Sequence, residues 1–224
     1  MGTIQHPIVF YLFGSIPIRD TVVMTLILDV IIIVLVLIIR KTIPSFLDTL
    51  MEFVTSLVDE ILDVDNLNPY LPIIGSLFIF LLAANMLSIV PGLKSPTADI
   101  NTPLALALVI FFAVHAYGIW TKGFWKYITT IADPIFLFPL ELISQISRTL
   151  SLTLRLFGNI ISSDLIVAIV FSIIPMIAPI PFIALSLFSG VLQAYIMSVL
   201  ATLYIAFAVE MNREQQNKKS GGFL

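Results

Sequence analysis

Arg155 stands in the apolar run Leu152-Thr153-Leu154-Arg155-Leu156-Phe157-Gly158-Asn159-Ile160-Ile161, in a stretch whose length and apolarity read as a helix within a lipid bilayer. A guanidinium stays protonated at any accessible pH, and at bilayer depth it costs at least roughly 2.5–3.5 kcal/mol unless it faces a partner or a wetted cavity. The nearest carboxylates on the same helix, Glu141 and Asp164, lie about 21 Å and about 13 Å away along the axis. The counter-charge is therefore expected on another chain.

The residues around Arg155 are patterned as well. With Arg155 at zero and about 100° per residue, Glu141 falls near +40°, Ser144 near −20°, Arg148 near +20°, Ser151 near −40°, Asn159 near +40° and Ser162 near −20°. This polar face is about 80° wide and roughly 32 Å long, and such a face lines an aqueous path or a polar protein contact. On the next helix Ser186, Ser189 and Gln193 share a face continued by Met197 and Tyr204, which a hairpin would turn toward the first. Asp164 points roughly 180° from Arg155 and can titrate in a different aqueous pocket. The bland readings weigh against this. Serines in membrane helices often do no more than bond a backbone carbonyl, and Arg148 near the inner end can snorkel to headgroups. His115 and Asp29 read as lone polar residues hydrogen-bonded between helices, and Gly158 as a position of close helix approach.

The elements that must position these residues follow from composition. The chain has 224 residues, 59% hydrophobic and 11% charged, with mean hydropathy +1.08. Soluble domains run near 25% charged, so this is read as an all-α integral membrane protein, a single membrane domain over 1–224. Residues 21–40 form a first span interrupted by Asp29 and closed by Arg40 and Lys41. The opening residues have no basic start or small-residue cleavage site, so this span is expected to stay in the protein. Residues 43–64 are amphipathic, with Asp48, Glu52, Asp59, Glu60 and Asp63 off the apolar face, and read as a surface helix whose acidic side meets water or another protein. Residues 73–121 form a transmembrane hairpin around a polar loop at 92–101, with Lys122, Trp125, Lys126 and Tyr127 at the interface beyond it. Residues 140–212 form two helices too long to stand upright in a core about 30 Å thick, hence strongly tilted and joined at a proline-rich turn, 175–181.

Several functions are excluded. No cysteine means no disulfide, thiolate metal site or iron–sulfur cluster, and with only His6 and His115 a bis-histidine haem is not available; no metal or cofactor is expected. A net charge of −3 offers no basic surface for nucleic acid. No phosphate-binding loop is present, so nucleotide chemistry would lie on other chains. If the N-terminus is outside, Arg40, Lys41, Lys122, Lys126, Arg213, Lys218 and Lys219 fall inside against Arg19 and Lys94 outside, a clear positive-inside bias.

The run Pro139-Leu140-Glu141-Leu142-Ile143-Ser144, followed by Arg148-Thr149-Leu150-Ser151-Leu152-Thr153-Leu154-Arg155-Leu156-Phe157-Gly158-Asn159, resembles the signature of subunit a of F-type rotary ATP synthases. The resemblance continues through Asp164-Leu165, where the family usually has Glu-Leu, through Gln193-Ala194, and through Thr97-Ala98-Asp99-Ile100-Asn101-Thr102; it covers roughly 73–210. It implies a non-catalytic membrane stator with two offset half-channels beside a rotating c-ring, coupling proton or possibly sodium flow to ATP synthesis or hydrolysis. It assigns Arg155 as the essential arginine facing the ring carboxylates, Asn159 and Gln193 as its supports, and Glu141, Ser144, Arg148 and Asp164 to the ion path, with Asp99, Ser186 and Tyr204 as possible access positions. Ser186 stands where many bacterial members carry a histidine. Expected partners are the c-ring, peripheral-stalk subunit b on the acidic surface helix and N-terminal helices, and the lipid bilayer. The expected location is a bacterial inner membrane, with the N-terminus outside and the C-terminus cytoplasmic. The alternative from another class is a self-contained channel or secondary transporter using Arg155 as an anion or substrate site.

Overall fold

The computed structural model describes residues 8–12, 16–62, 64, 66–87, 95–132, 138–174 and 178–210. Asp63, the loop 88–94 with Lys94, turn residues 175–177, and the tail with Arg213, Lys218 and Lys219 lie outside the described residues. The fold is helical. In order come α1 (Asp20–Thr42), α2 (Pro44–Ile61), α3 (Leu71–Leu87), a 3₁₀ turn (Pro96–Ala98), α4 (Asn101–Lys122), α5 (Phe124–Ala132), α6 (Phe138–Ile173) and α7 (Pro179–Glu210). A short antiparallel pair not foreseen from the sequence, β1 (Ile8–Leu12) and β2 (Ile16–Arg19), precedes α1.

Among the described residues four helices are long and apolar enough to cross a membrane, namely those spanning Val22–Thr42, Asn101–Thr121, Pro139–Ile173 and Pro179–Val209. α3 is apolar but shorter, about 25 Å at 1.5 Å per residue, against about 54 Å for α6. Each boundary has a local cause. Pro44 opens α2, where its missing N–H is not needed by the helix. Gly123 ends α4 with φ 78°, a conformation a side chain resists, and its N–H bonds the Ile119 carbonyl at 2.7 Å before the chain turns into α5.

The core forms where α3 and α7 pack together, joined by α2, α4 and the middle of α6. Leu77, Phe78 and Leu81 of α3 share a buried cluster with Ala194, Met197, Ala201 and Ile205 of α7, Ala107 and Ile110 of α4, Leu152 and Leu156 of α6, and Val54 and Val58 of α2. Small residues on α7 let backbones approach, as membrane helices require when no hydrophobic force from water draws them together. α7 comes close to α3 at Gly190, where an added Cβ would lie 2.8 Å from Asn85 Cβ. There the Asn85 amide donates to the Gly190 carbonyl at 2.8 Å. Gly158, expected to be such a position, has nothing within 4 Å of an added Cβ and looks onto open space. The reason is rotational: Gly158 lies only about 60° from Arg155, on the side of α6 turned away from the bundle. α1 touches α2, α3 and the 3₁₀ turn but stays mostly exposed, with Leu28 its one buried side chain among the described residues.

Candidate ion-path site

α6 holds the polar face and α7 runs antiparallel beside it. Arg155 is exposed, and among the described residues its guanidinium has no hydrogen-bond, ion-pair or ring partner. One turn on, the Asn159 side-chain oxygen accepts a 2.6 Å hydrogen bond from Ser189 Oγ of α7. Because the helices are antiparallel, a turn back along α6 to Arg155 matches a turn forward along α7 to Gln193. Gln193 is 5% exposed, and its Nε2 has no hydrogen-bond partner among the described residues. A buried amide donor without an acceptor costs about 1–3 kcal/mol, which marks a position held for something other than packing.

The Glu141 end of the face is organised differently. Gln145 Nε2 donates to Glu141 Oε1 at 3.1 Å, and the Arg148 guanidinium lies 5.4 Å from the centre of the Tyr204 ring. Arg148 is thus turned inward onto α7, a cation–π placement. It also borders a cavity of about 30 Å³ lined by His115, Gln145, Thr149 and Tyr204, space for about one water. His115, read from the sequence as hydrogen-bonded between helices, bonds instead within its own helix: its Nδ1 lies 2.8 Å from the Phe111 carbonyl one turn back, and its ring lies 6.0 Å from that of Tyr127. Tyr127, read from the sequence as an interface anchor, is buried, whereas Trp125 beside it is 80% exposed. Burial, and then the Glu141 carboxylate, push the Tyr127 phenol above its usual pKa, so it is a neutral hydroxyl at physiological pH.

The remaining candidates are scattered. Ser144 and Ser186 are half-buried, and Ser151 and Ser162 are exposed on α6. Asp164 is exposed on the far side of α6 from Arg155. Asp99 is 4% exposed and accepts from the backbone N–H of Asn101 at 3.1 Å and from its amide at 2.8 Å, a turn that starts α4. Ser95 and Thr97 beside it are buried, their hydroxyls 2.7 Å apart, with Ser95 also donating to the Ala84 carbonyl at 2.9 Å. On α6 and α7, Thr149, Thr153, Ser198 and Thr202 each bond the carbonyl one turn back, the bland role weighed for membrane hydroxyls.

A bundle of helices long and apolar enough to cross a membrane defines a polytopic membrane protein. The family model described as ATP synthase A chain matches residues 21–206. The chain is 43% identical over 171 residues to ATP synthase subunit a 2 of Bradyrhizobium sp., covering 75% of this chain and 77% of that one. It is 35% identical over 219 residues to ATP synthase subunit a 2 of Picosynechococcus sp., covering 94% of both, and 37% identical over 207 residues to ATP synthase subunit a 1 of Hahella chejuensis, covering 90% and 88%. The chain belongs to the family of ATP synthase subunit a, the membrane (Fo) sector component of F-type ATP synthases.

Proposed function

We propose that this chain is the ion-conducting stator of its ATP synthase, non-catalytic by itself, and that Arg155 faces the carboxylates of the rotating c-ring. The observation that carries the reading is the isolation of Arg155: a permanent cation, exposed on an apolar helix, with no partner among the described residues. A carboxylate brought about 4 Å from it gains about 4 kcal/mol at an effective dielectric near 20. That is about three pKa units, enough to strip the proton from a carboxylate protonated in lipid. The same fixed charge repels a cation trying to pass straight between the two half-channels. Gly158, open and close to Arg155 in rotation, leaves room for the ring helices to approach.

On this reading Asn159 is held by Ser189 beside the arginine, and Gln193 offers its spare N–H at the same level. Glu141, Ser144 and Arg148 line the inner access route, with Tyr204 holding Arg148. Asp164, on the opposite face, serves the outer route, with Ser186 and Asp99 nearer the outer surface. The N-terminus is outside and the C-terminus cytoplasmic, in a bacterial inner membrane. The acidic face of α2, with Asp48, Glu52, Asp59 and Glu60 exposed, and α1 form the side toward the peripheral-stalk subunit b. Nothing on α6 gathers oxygen ligands around one point, so ion choice between H⁺ and Na⁺ rests with the ring.

The experiment is ATP-driven ion uptake into vesicles containing the purified complex. Arg155→Ala is expected to lose uptake completely while the complex still assembles with its ring. Uptake at the wild-type rate in Arg155→Ala, or ion transport by this chain alone, would overturn the stator reading.

A further inference from the structure

Asn85, near the C-terminal end of α3, is 3% exposed, and its side-chain amide donates to the Gly190 carbonyl of α7 at 2.8 Å, across 105 residues of sequence. The residue before Gly190 is Ser189, whose hydroxyl donates to Asn159 of α6 at 2.6 Å. Two consecutive residues of α7 are thus each bound by a different helix. Asn85 is steadied in turn from behind: the carbonyl of its neighbour Ala84 accepts from Ser95 Oγ, at the start of the 3₁₀ turn, at 2.9 Å. These bonds join the 3₁₀ turn, α3, α7 and α6 in one line that ends beside Arg155.

We propose that Asn85 is a positioning residue for ion transfer: by gripping the backbone of α7 at Gly190 it stops that helix from rolling, and so keeps Gln193 turned toward the level of Arg155. With Ser189 at zero and about 100° per residue, Gly190 lies near +100° and Gln193 near +40°, one turn farther along α7. Gln193 therefore points into the sector bounded by the two bonds. The Ser189 bond alone is a single pivot made by a side chain, and a change of rotamer accommodates a turn of the helix about it. The Asn85 bond ends on a backbone carbonyl, which moves only with the helix. Gly190 ties the grip to one rotation, because a Cβ at that place would lie 2.8 Å from Asn85 Cβ, and either neighbour, Ser189 or Val191, would bring one. At a side-chain radius of about 5–6 Å, a roll of about 20° carries the Gln193 amide about 2 Å. A misplacement of about 1 Å can cost about a hundredfold in a reaction that depends on position. The bond bears less on stability, since the Gly190 carbonyl lies within α7 and keeps its intrahelical partner without Asn85. The inference rests on the stator reading and deepens it, adding α3 to the elements that hold the site.

The test measures ion uptake per ATP hydrolysed in vesicles holding the intact complex, together with the melting of that complex. Asn85→Leu, close in volume and without a donor, should lower uptake per ATP at least about tenfold while subunit composition and melting stay near wild type. Asn85→Asp keeps the shape, and its carboxyl can donate to the Gly190 carbonyl only while protonated. Its uptake, taken as a ratio to wild type at each pH, should therefore be retained at the acid end and lost as pH rises, a dependence that loss of packing alone does not produce. Wild-type uptake per ATP in Asn85→Leu, or a ratio for Asn85→Asp that is the same at every pH, would overturn the proposal. Should Asn85→Leu fail to assemble, the Asn85→Asp ratio decides. Arg155→Ala is run beside them: wild-type uptake in that variant sinks the stator reading, whereas its loss there together with full coupling in Asn85→Leu sinks this inference alone.

Discussion

Ser189 of α7 donates a 2.6 Å hydrogen bond to the Asn159 side chain of α6, and through the antiparallel packing of the two helices it sets Gln193 level with Arg155. This bond joins residues thirty apart in sequence. It is a side-chain hydrogen bond between the arginine's helix and the helix carrying the unpaired Gln193 amide.

That link is expected to be modest in stability and larger in function. In a double-mutant cycle of Ser189→Ala and Asn159→Ala, the coupling in thermal unfolding of the purified complex should be about 0.6 kcal/mol and no more than about 2, as for other hydrogen bonds between membrane helices. ATP-driven pumping should fall in both single variants by more than that stability change accounts for. Strictly additive effects on both readouts would remove the bond from the arginine's support.

The two glycines of interest should respond oppositely. Gly190→Ala places a Cβ 2.8 Å from Asn85 Cβ, so α3 and α7 must separate, at about 1–3 kcal/mol in the melting of the complex. Gly158→Ala meets nothing within 4 Å in this chain and should not lower its stability, since alanine is the better helix former by about 1 kcal/mol. Pumping should nevertheless drop in Gly158→Ala if the ring approaches there. Full pumping would place the ring elsewhere on α6.

Asp164, exposed on the face of α6 away from Arg155, should act through its carboxylate. Asp164→Glu keeps the acid and should retain much of the coupled rate, and Asp164→Asn should retain far less. Equal ion uptake in the two variants would take the side chain out of the path.

Orientation can be read with single cysteines in a chain that has none. Ser95, although in the polar loop, is 1% exposed and a poor reporter; Ile100, 42% exposed beside it, is the better one. A membrane-impermeant thiol reagent applied from outside should label Ile100→Cys and spare Ser220→Cys. The reverse pattern would invert the topology.

Local physics was legible in the chain before any packing was known. Apolar length announced the membrane helices, and a period near 3.6 residues gathered Glu141, Arg148, Arg155 and Asn159 on one face and set Asp164 opposite. The isolation of Arg155 was also readable, because distances along a helix follow from residue count alone. Packing decided the rest. Periodicity shows which residues share a face but not which neighbour that face meets, so the inward turn of Arg148 onto Tyr204 and the small cavity with His115 needed α4 and α7 in place. The same limit explains Gly158 and Gly190: a glycine marks close approach only where another backbone arrives, and that depended on how α7 lies against α3. Asp99 and Ser95 belong to a stretch that reads as a polar loop, yet both are buried where the 3₁₀ turn packs among helices distant in sequence. Sequence fixed which groups each helix offers; the register and rotation of one helix against another, set by side-chain volume and by bonds such as Ser189 to Asn159, decided which of them meet.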